Sequence, residues 1–376
     1  MRKQKVAILT LYVSTFGNYG QILQGYSTYT FLRENGYEPV ILNFIDYTYS
    51  PECKVMLKID NVFLRRVFFK IRNFVYDLKY PRNIYLERFI RKKVKMTEPC
   101  FSKDQILKEL EDYNTFICGS DTCWYAGSAI DCFSLAAFKR KEANKIAFAV
   151  STLRPFLNKD TQAFWNAYKK GIQGLTAIST RELETSNIIK ELTGRDATQV
   201  LDPVFLISKQ NWMRLASKRL ERERYIFVYL MGESRIHENF IYKIRQKYRG
   251  RKILLTRKMG NYNVTIPKSE IKDKLSVEQW ISLIEHADVV VTDSYHGVAF
   301  SLIFNKPFYA LMRDNDNKLF NRVENILRAC ELMNRVGDDN TDMSNEIDYD
   351  LVNKRLEKLQ KVSKEFLVQA LNSSVS

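Results

Sequence analysis

At 376 residues the chain exceeds one ordinary domain and suits two of middling size, and its 45% hydrophobic and 27% charged residues exclude a disordered protein. A formal charge of +16, from 59 basic and 43 acidic residues, favours an anionic partner: nucleic acid, an acidic lipid surface or a phosphorylated substrate. Six scattered cysteines with no CxxC pair and no zinc-finger spacing suit a reducing compartment, and no apolar run approaches the ~18 residues that span a bilayer.

The opening Met1-Arg2-Lys3-Gln4-Lys5, followed by apolar Val6–Val13, imitates a signal peptide. The run is short, however, no small-x-small cleavage site follows, and Phe16-Gly17-Asn18-Tyr19-Gly20 reads as a turn. A buried strand in a cytoplasmic protein is the expectation. Gln21–Asn35 has helical spacing with Gly36 as its stop, and Pro39–Phe44 is a second strand. Strand, helix, strand is a βαβ unit, so the sheet is parallel.

Val62 to Lys95 then carries eleven basic residues against Asp77 and Glu87, +9 of the total +16. Val62, Phe63, Val67, Phe68, Ile71, Phe74 and Val75 recur there at helical spacing, with Arg65, Arg66, Lys70 and Arg72 between them. Such a helix suits an anionic membrane, or a core-packed helix with a solvated basic face. Nothing resembles a nucleic-acid module, so no nucleic-acid partner is expected.

The α/β pattern continues with strands at Thr115–Cys118, Lys145–Val150, Leu175–Ile178 and Thr198–Leu201, and a helix at Asn187–Leu192. A second series begins at Tyr225–Met231 (strand), with Glu238–Tyr248 (helix) and Arg251–Thr256 (strand). Val277–His286 is a helix capped by Ser276, followed by a strand at Asp288–Thr292, a helix at Val298–Phe304 and a strand at Pro307–Leu311. Asp350–Leu371 is a long helix with apolar Leu351, Leu356, Leu359, Val362, Phe366 and Leu367. The polar stretch Ser208–Arg224 is the domain junction. The expected organisation is α/β: a Rossmann-like domain over 1–207 with a basic helical insertion at about 51–100, a second over 208–345, and a C-terminal helix over 346–376, the two domains facing a cleft.

Ligands of open α/β sheets bind beyond the carboxyl ends of the strands. Four polar segments fall at such ends: Asn18-Tyr19-Gly20, Gly119-Ser120-Asp121, Gly232-Glu233-Ser234 and Ser294-Tyr295-His296-Gly297. Each puts glycine and a hydroxyl, amide or carboxylate before a helix, where backbone N–H groups and the helix dipole attract an oxyanion. None is a P-loop or GxGxxG. Of only three histidines, His286 suits a helix C-terminus, His237 begins a helix, and His296 sits between a Thr-Asp-Ser turn and a glycine that opens one. An imidazole there can exchange protons near neutral pH, or simply hydrogen-bond to backbone. No carboxylate–histidine cluster demands a metal. Asp314-Asn315-Asp316-Asn317-Lys318 fails as a calcium loop at Lys318.

Asn18-Tyr19-Gly20 with Leu23-Gln24, Gly119-Ser120-Asp121 with Trp124, Ser179-Thr180-Arg181-Glu182, Leu201-Asp202-Pro203 and Thr292-Asp293-Ser294-Tyr295-His296-Gly297 occur in that order. This series resembles the polysaccharide pyruvyl transferase family, over about Val6 to Leu327. The resemblance implies a two-domain fold of the GT-B type, phosphoenolpyruvate as donor, and a sugar or lipid-linked oligosaccharide as acceptor, with no cofactor. The product is a pyruvate ketal in a cell-surface polysaccharide. The family's Ser-Phe-His-Gly motif falls on Ser294, Tyr295, His296 and Gly297, and its Ser-x-Arg-Glu motif on Ser179, Arg181 and Glu182. On this reading His296 and Asp121 are the acid/base candidates. Arg181 grips the donor's carboxylate or phosphate, or else forms a buried ion pair with Glu182 or another carboxylate, and Asn18, Gly20, Gly119, Ser120, Ser294 and Gly297 line the site. Thr122 stands where the family commonly has Gln, Tyr295 where it has Phe, and Val298 where Thr is frequent. The competing readings are a glycosyltransferase using a nucleotide-sugar and a non-catalytic, membrane-associated partner in polysaccharide assembly. The expected location is the cytoplasm, with peripheral attachment to the inner face of the plasma membrane through 62–95.

Overall fold

The computed structural model describes residues 3–44, 82–120, 123–124, 130–151, 162–232, 238–258, 265–312, 321–338 and 341–373, except 11, 13–17 and 141, and within 61–75 residues 61, 63, 64, 67, 68, 71, 74 and 75. Contacts divide the chain into two units. The first holds 1–15, 21–206 and 362–376, the second 16–20 and 207–361.

Unit 1 contains β1 (Lys5–Leu9), α1 (Tyr19–Glu34, from Gln21 onward), β2 (Glu38–Ile41), α2 (Arg82–Lys93), α3 (Lys103–Glu109) and β3 (Thr115–Cys118). It continues with α4 (Ile130–Phe133), β4 (Asn144–Val150), α5 (Gln162–Gln173), β5 (Ala177–Thr180), α6 (Leu183–Thr193) and β6 (Thr198–Gln199). Its sheet is wholly parallel, in the order β2-β1-β3-β4-β5-β6. All four residues of β3 are buried, as expected of a central parallel strand covered on both faces. The core gathers Leu9, Phe116, Trp124, Tyr168 and Ile172. Trp124 is fully buried, its Nε1 donating to the Phe133 carbonyl at 3.1 Å, so this part of the second motif segment is core rather than binding surface.

Unit 2 contains α7 (Lys209–Leu215), β7 (Tyr225–Leu230), α8 (Glu238–Lys247), β8 (Lys252–Arg257), β9 (Ser269–Ile271) and α9 (Val277–Glu285). Then come β10 (Val289–Thr292), α10 (Tyr295–Phe304), β11 (Phe308–Leu311), α11 (Asn321–Ala329), β12 (Val336–Gly337) and α12 (Tyr349–Asn372, as far as Lys361). The sheet is again all parallel, in the order β12-β11-β10-β7-β8-β9. Ser276 caps α9 in a reciprocal box with Gln279. The stretch expected as a junction is in part the helix α7, capped by Ser208.

Two expectations are corrected. The helix placed at Val298–Phe304 starts at Tyr295, so Tyr295, His296 and Gly297 form its first turn rather than a preceding loop. In α12 the buried line is Val352, Leu356, Ser363, Leu367, Ala370 and Leu371, whereas Leu351 and Val362 are exposed. Residues 349–361 of that helix cluster with unit 2 and 362–372 with unit 1, so it is not a separate appendage. In unit 1, Asn144 Nδ2 donates to the Ala370 carbonyl at 2.7 Å, the Leu201 amide donates to Ser363 Oγ at 2.9 Å, and Phe366 stacks on Phe148.

Candidate active site

Each sheet reverses its winding once. In unit 1 the reversal lies between β1 and β3, and in unit 2 between β7 and β10. The loops beyond these switch points diverge, which opens a crevice at the carboxyl ends of the strands. The two motifs with the most polar groups sit there: Gly119-Ser120 follows β3, and Asp293-Ser294 follows β10.

In unit 2, Asp293 bridges the reversal. Its Oδ1 accepts from the Met231 amide and its Oδ2 from the Gly232 amide, both at 2.6 Å, tying the end of β10 to the end of β7. Thr292 Oγ1 donates to the Tyr229 carbonyl at 2.7 Å and accepts from the Ser294 amide at 3.1 Å. A Cβ on Gly297 would collide with the Thr292 side chain, so glycine lets α10 close down on its own strand. All ten residues of α10 are buried, and Ser294, in the N-cap position, offers no side-chain cap. The partial positive charge of the helix start is therefore not offset by a side-chain cap.

His296 lies in this first turn, only 6% exposed, edge-on to Tyr295 at 5.3 Å. Its Nδ1 lies against Gly20, where any Cβ would overlap the imidazole. Asn18 Oδ1 accepts from the Gly20 amide at 3.0 Å, capping the start of α1. Tyr19 stacks on Trp280 at 5.2 Å and donates to the Leu275 carbonyl at 3.0 Å. Trp280 in turn meets Tyr229 and Phe300 edge-on, and Phe300 belongs to α10. An aromatic block thus fixes two helix starts side by side, with the imidazole between them.

In unit 1 the Gly119–Ser120 peptide is cis, and Gly119 has φ 131°. A Cβ on Gly119 would strike the Phe148 carbonyl, so the end of β3 runs tight against its neighbour β4. Gly119→Ala is expected to destabilise the protein by about 1–3 kcal/mol through overpacking against backbone that cannot yield. Gly36→Ala serves as the comparison, since its φ of 88° is also left-handed but its Cβ would meet open space. Thermal melts showing equal losses for both would refute the clash.

Ser120 Oγ donates to Asp202 Oδ2 at 3.2 Å. Arg181 donates from Nη1 to that same oxygen at 2.6 Å and from Nε to Glu182 at 2.7 Å. The side chains of Arg181, Glu182 and Asp202 are 3%, 5% and 0% exposed, which marks a buried ionic cluster. The Val204 amide donates to Asp202 Oδ1 at 3.1 Å, and Thr10 Oγ1 at the end of β1 reaches the Ser120 carbonyl. Tyr12, two residues on, has its phenol held well above the usual range, first by burial and then by Tyr26 and Tyr29. The fully buried Ser151 hydroxyl at the end of β4 has no partner among the described residues, an unmet group of the sort a ligand or water satisfies.

Asn18, Gly20, His296, Ser294 and Gly297 thus come together in unit 2, and Gly119, Ser120 and Arg181 in unit 1. Asp121, the second acid/base candidate, lies outside the described residues, as do Thr122, His237 and 314–317. Arg181 was expected either to grip an anion or to form a buried ion pair. Its engagement with two carboxylates favours an organising role. Asp293, Asp202 and Thr10 were not assigned roles from sequence, although Asp202 sits in the motif Leu201-Asp202-Pro203 and all three stand at or near strand ends.

Two doubly wound parallel units in one chain define a protein of the GT-B type. A crystal structure of UDP-GlcNAc 2-epimerase from Neisseria meningitidis bound to UDP-GlcNAc is similar, at 10% identity and a TM-score of 0.53, covering 98% of this chain and 99% of that one. A co-structure of S. aureus MnaA with UDP is similar at 10% identity and a TM-score of 0.50, covering 97% and 91%. Within this type, the family model for polysaccharide pyruvyl transferase matches residues 18–315, and the chain belongs to that family of transferases. No protein of curated function matches the sequence.

Proposed function

We propose that the protein transfers pyruvate from phosphoenolpyruvate to two hydroxyls of a sugar, forming a ketal in a cell-surface polysaccharide. The observation that carries this reading is the pair of helix starts at Gly20 and His296 beside the β7–β10 reversal. Two helix N-termini attract a donor that carries a carboxylate and a phosphate, and an imidazole between them is placed to move a proton. In the reaction the two sugar oxygens form bonds to C2 of phosphoenolpyruvate, and the C2–O bond to phosphate breaks. One hydroxyl proton ends on C3, turning methylene into methyl, and the other leaves with phosphate. Phosphoenolpyruvate is itself the activated donor, so the scheme calls for no cofactor.

His296 is assigned one of these proton transfers, and Asp121 is the candidate for another. Ser294, Gly297, Gly20 and Asn18 shape the anion-binding turn. Within unit 1, Gly119 and Ser120 are the candidate substrate contacts, beside Arg181, which is engaged with Asp202. A sugar or lipid-linked oligosaccharide is the acceptor.

Incubation with phosphoenolpyruvate and a panel of bacterial glycans is expected to release inorganic phosphate and give a new methyl singlet in the proton spectrum of the glycan. Thermal stabilisation by a nucleotide-sugar but none by phosphoenolpyruvate would instead make the protein a glycosyltransferase.

A further inference from the structure

The window 62–95, which carries over half of the net charge, begins with a stretch that leaves its apolar residues in water. Residues 63, 64, 67, 68, 71, 74 and 75 are helical. The Phe63 and Leu64 amides donate to Asn61 Oδ1 at 2.9 and 3.2 Å, an N-cap that sets the start of the helix. At 3.6 residues per turn these seven positions fall within an arc of roughly 140°. All seven are large and apolar, and all are exposed, Phe63 by 71%, Phe68 by 52%, Ile71 by 55% and Phe74 by 66%.

The neighbouring α2 shows the contrast. It buries Leu86, Phe89 and Ile90, with Phe89 edge-on to Tyr26 at 5.3 Å, and turns Arg88, Arg91, Lys92 and Lys93 to solvent. An apolar helical face of this segment can therefore be buried by the protein, and that of 63–75 is not. A contiguous exposed stripe of this kind marks a contact surface.

Charge decides what covers it. The sequence sets Arg65, Arg66, Lys70 and Arg72 in the intervals between the apolar positions, and the window 62–95 holds eleven basic residues against two acidic. A second copy of the chain would bring like charges together. Nucleic acid would meet the cations but leave phenylalanine, leucine and isoleucine with nothing to bury against. A bilayer surface with anionic headgroups satisfies both halves at once. We propose that the helical residues 63, 64, 67, 68, 71, 74 and 75 lie in the surface of an anionic phospholipid membrane, with Phe63, Phe68, Ile71 and Phe74 among the acyl chains, and that the basic residues of the same stretch of sequence supply the attraction to the phosphates. Among the described residues no helix is long and apolar enough to cross a membrane, so the association is peripheral at this helix. The proposal stands on these residues alone and is independent of the pyruvyl-transfer reading.

Co-sedimentation of the whole protein with vesicles tests it. The protein is expected to pellet with phosphatidylcholine vesicles containing about 30% phosphatidylglycerol, and to stay in solution with phosphatidylcholine alone. Raising salt from about 0.1 M to about 0.5 M should release it. The triple variant Phe63→Ser, Phe68→Ser, Phe74→Ser is expected to weaken binding at least about tenfold. The variant Arg65→Gln, Arg66→Gln, Lys70→Gln, Arg72→Gln should lose a similar factor. Circular dichroism melts establish that the variants fold, and should one fail, the lipid and salt dependence of the unaltered protein still decides. Equal binding to neutral vesicles, no vesicle binding, binding untouched by the serine variant, or retention by RNA alone each overturns the proposal. So does a dimer in light scattering that the serine variant dissolves.

Discussion

Arg181→Ala is expected to lower the stability of unit 1 by about 3–5 kcal/mol, read as a fall in the urea midpoint by circular dichroism. The guanidinium is 3% exposed and donates to Glu182 and Asp202, so its removal takes a charge-assisted partner from two carboxylates that have little water to fall back on. The damage should spread, because Asp202 also receives Ser120 Oγ and the Val204 amide, and Ser120 stands at the β1–β3 reversal. Arg181→Lys should fall between wild type and alanine, since a single ammonium cannot reproduce two donors in the fixed geometry of a fork. The triple change Arg181→Met, Glu182→Gln, Asp202→Asn should recover part of the loss by removing the uncompensated charge along with the cation. A loss below about 1 kcal/mol for Arg181→Ala would overturn the organising role. In that case the same variant should abolish stabilisation by phosphoenolpyruvate, as expected of a residue that grips the donor directly.

The contrast between Arg181 and His296 shows which parts of the site were legible in sequence. Central strands such as β3 and β10 are buried on both faces and read as continuous apolar runs, so their positions were plain from the residues. The edge strands Ser269–Ile271 and Val336–Gly337 are short and partly exposed, and no hydrophobic run announced them. Gly297 read as a turn residue because glycine usually is one. Here it sits inside a helix because of a close approach to Thr292 that involves no local signal. The same holds for Gly20 against His296, a contact between opposite ends of the chain. The resemblance placed both in one site by family pattern, but only the fold shows why a side chain at position 20 is forbidden. Arg181 with Asp202 poses a related problem: residue types alone are compatible with an anion grip and with an ion pair, and only the distances separate them. The apolar positions of 62–75 were equally ambiguous between core and surface, and the exposure of the described ones separates those readings.

His296→Gln is expected to lower the turnover of pyruvyl transfer by about 10²–10⁴-fold while leaving the melting temperature within a few degrees, because glutamine keeps polar atoms in the turn but cannot exchange a proton near neutral pH. The loss should appear in kcat, with the KM for phosphoenolpyruvate changed little, since the helix starts that attract the anion remain in place. Gly20→Ala approaches the same imidazole from the other side. Its Cβ would occupy the space of Nδ1, so the ring must move although no titratable group has been removed. A comparable fall in kcat from Gly20→Ala would mean that the position of the ring, held by Asn18, Tyr19 and the Trp280 block, matters as much as its chemistry. If His296 serves only to pack the turn, His296→Gln should keep turnover within about fivefold and Gly20→Ala should act mainly on stability. Thermal stabilisation by phosphoenolpyruvate, measured on both variants, separates failure of proton transfer from failure of binding: a proton-transfer residue leaves that stabilisation intact, whereas a residue that merely shapes the anion site removes it along with the activity.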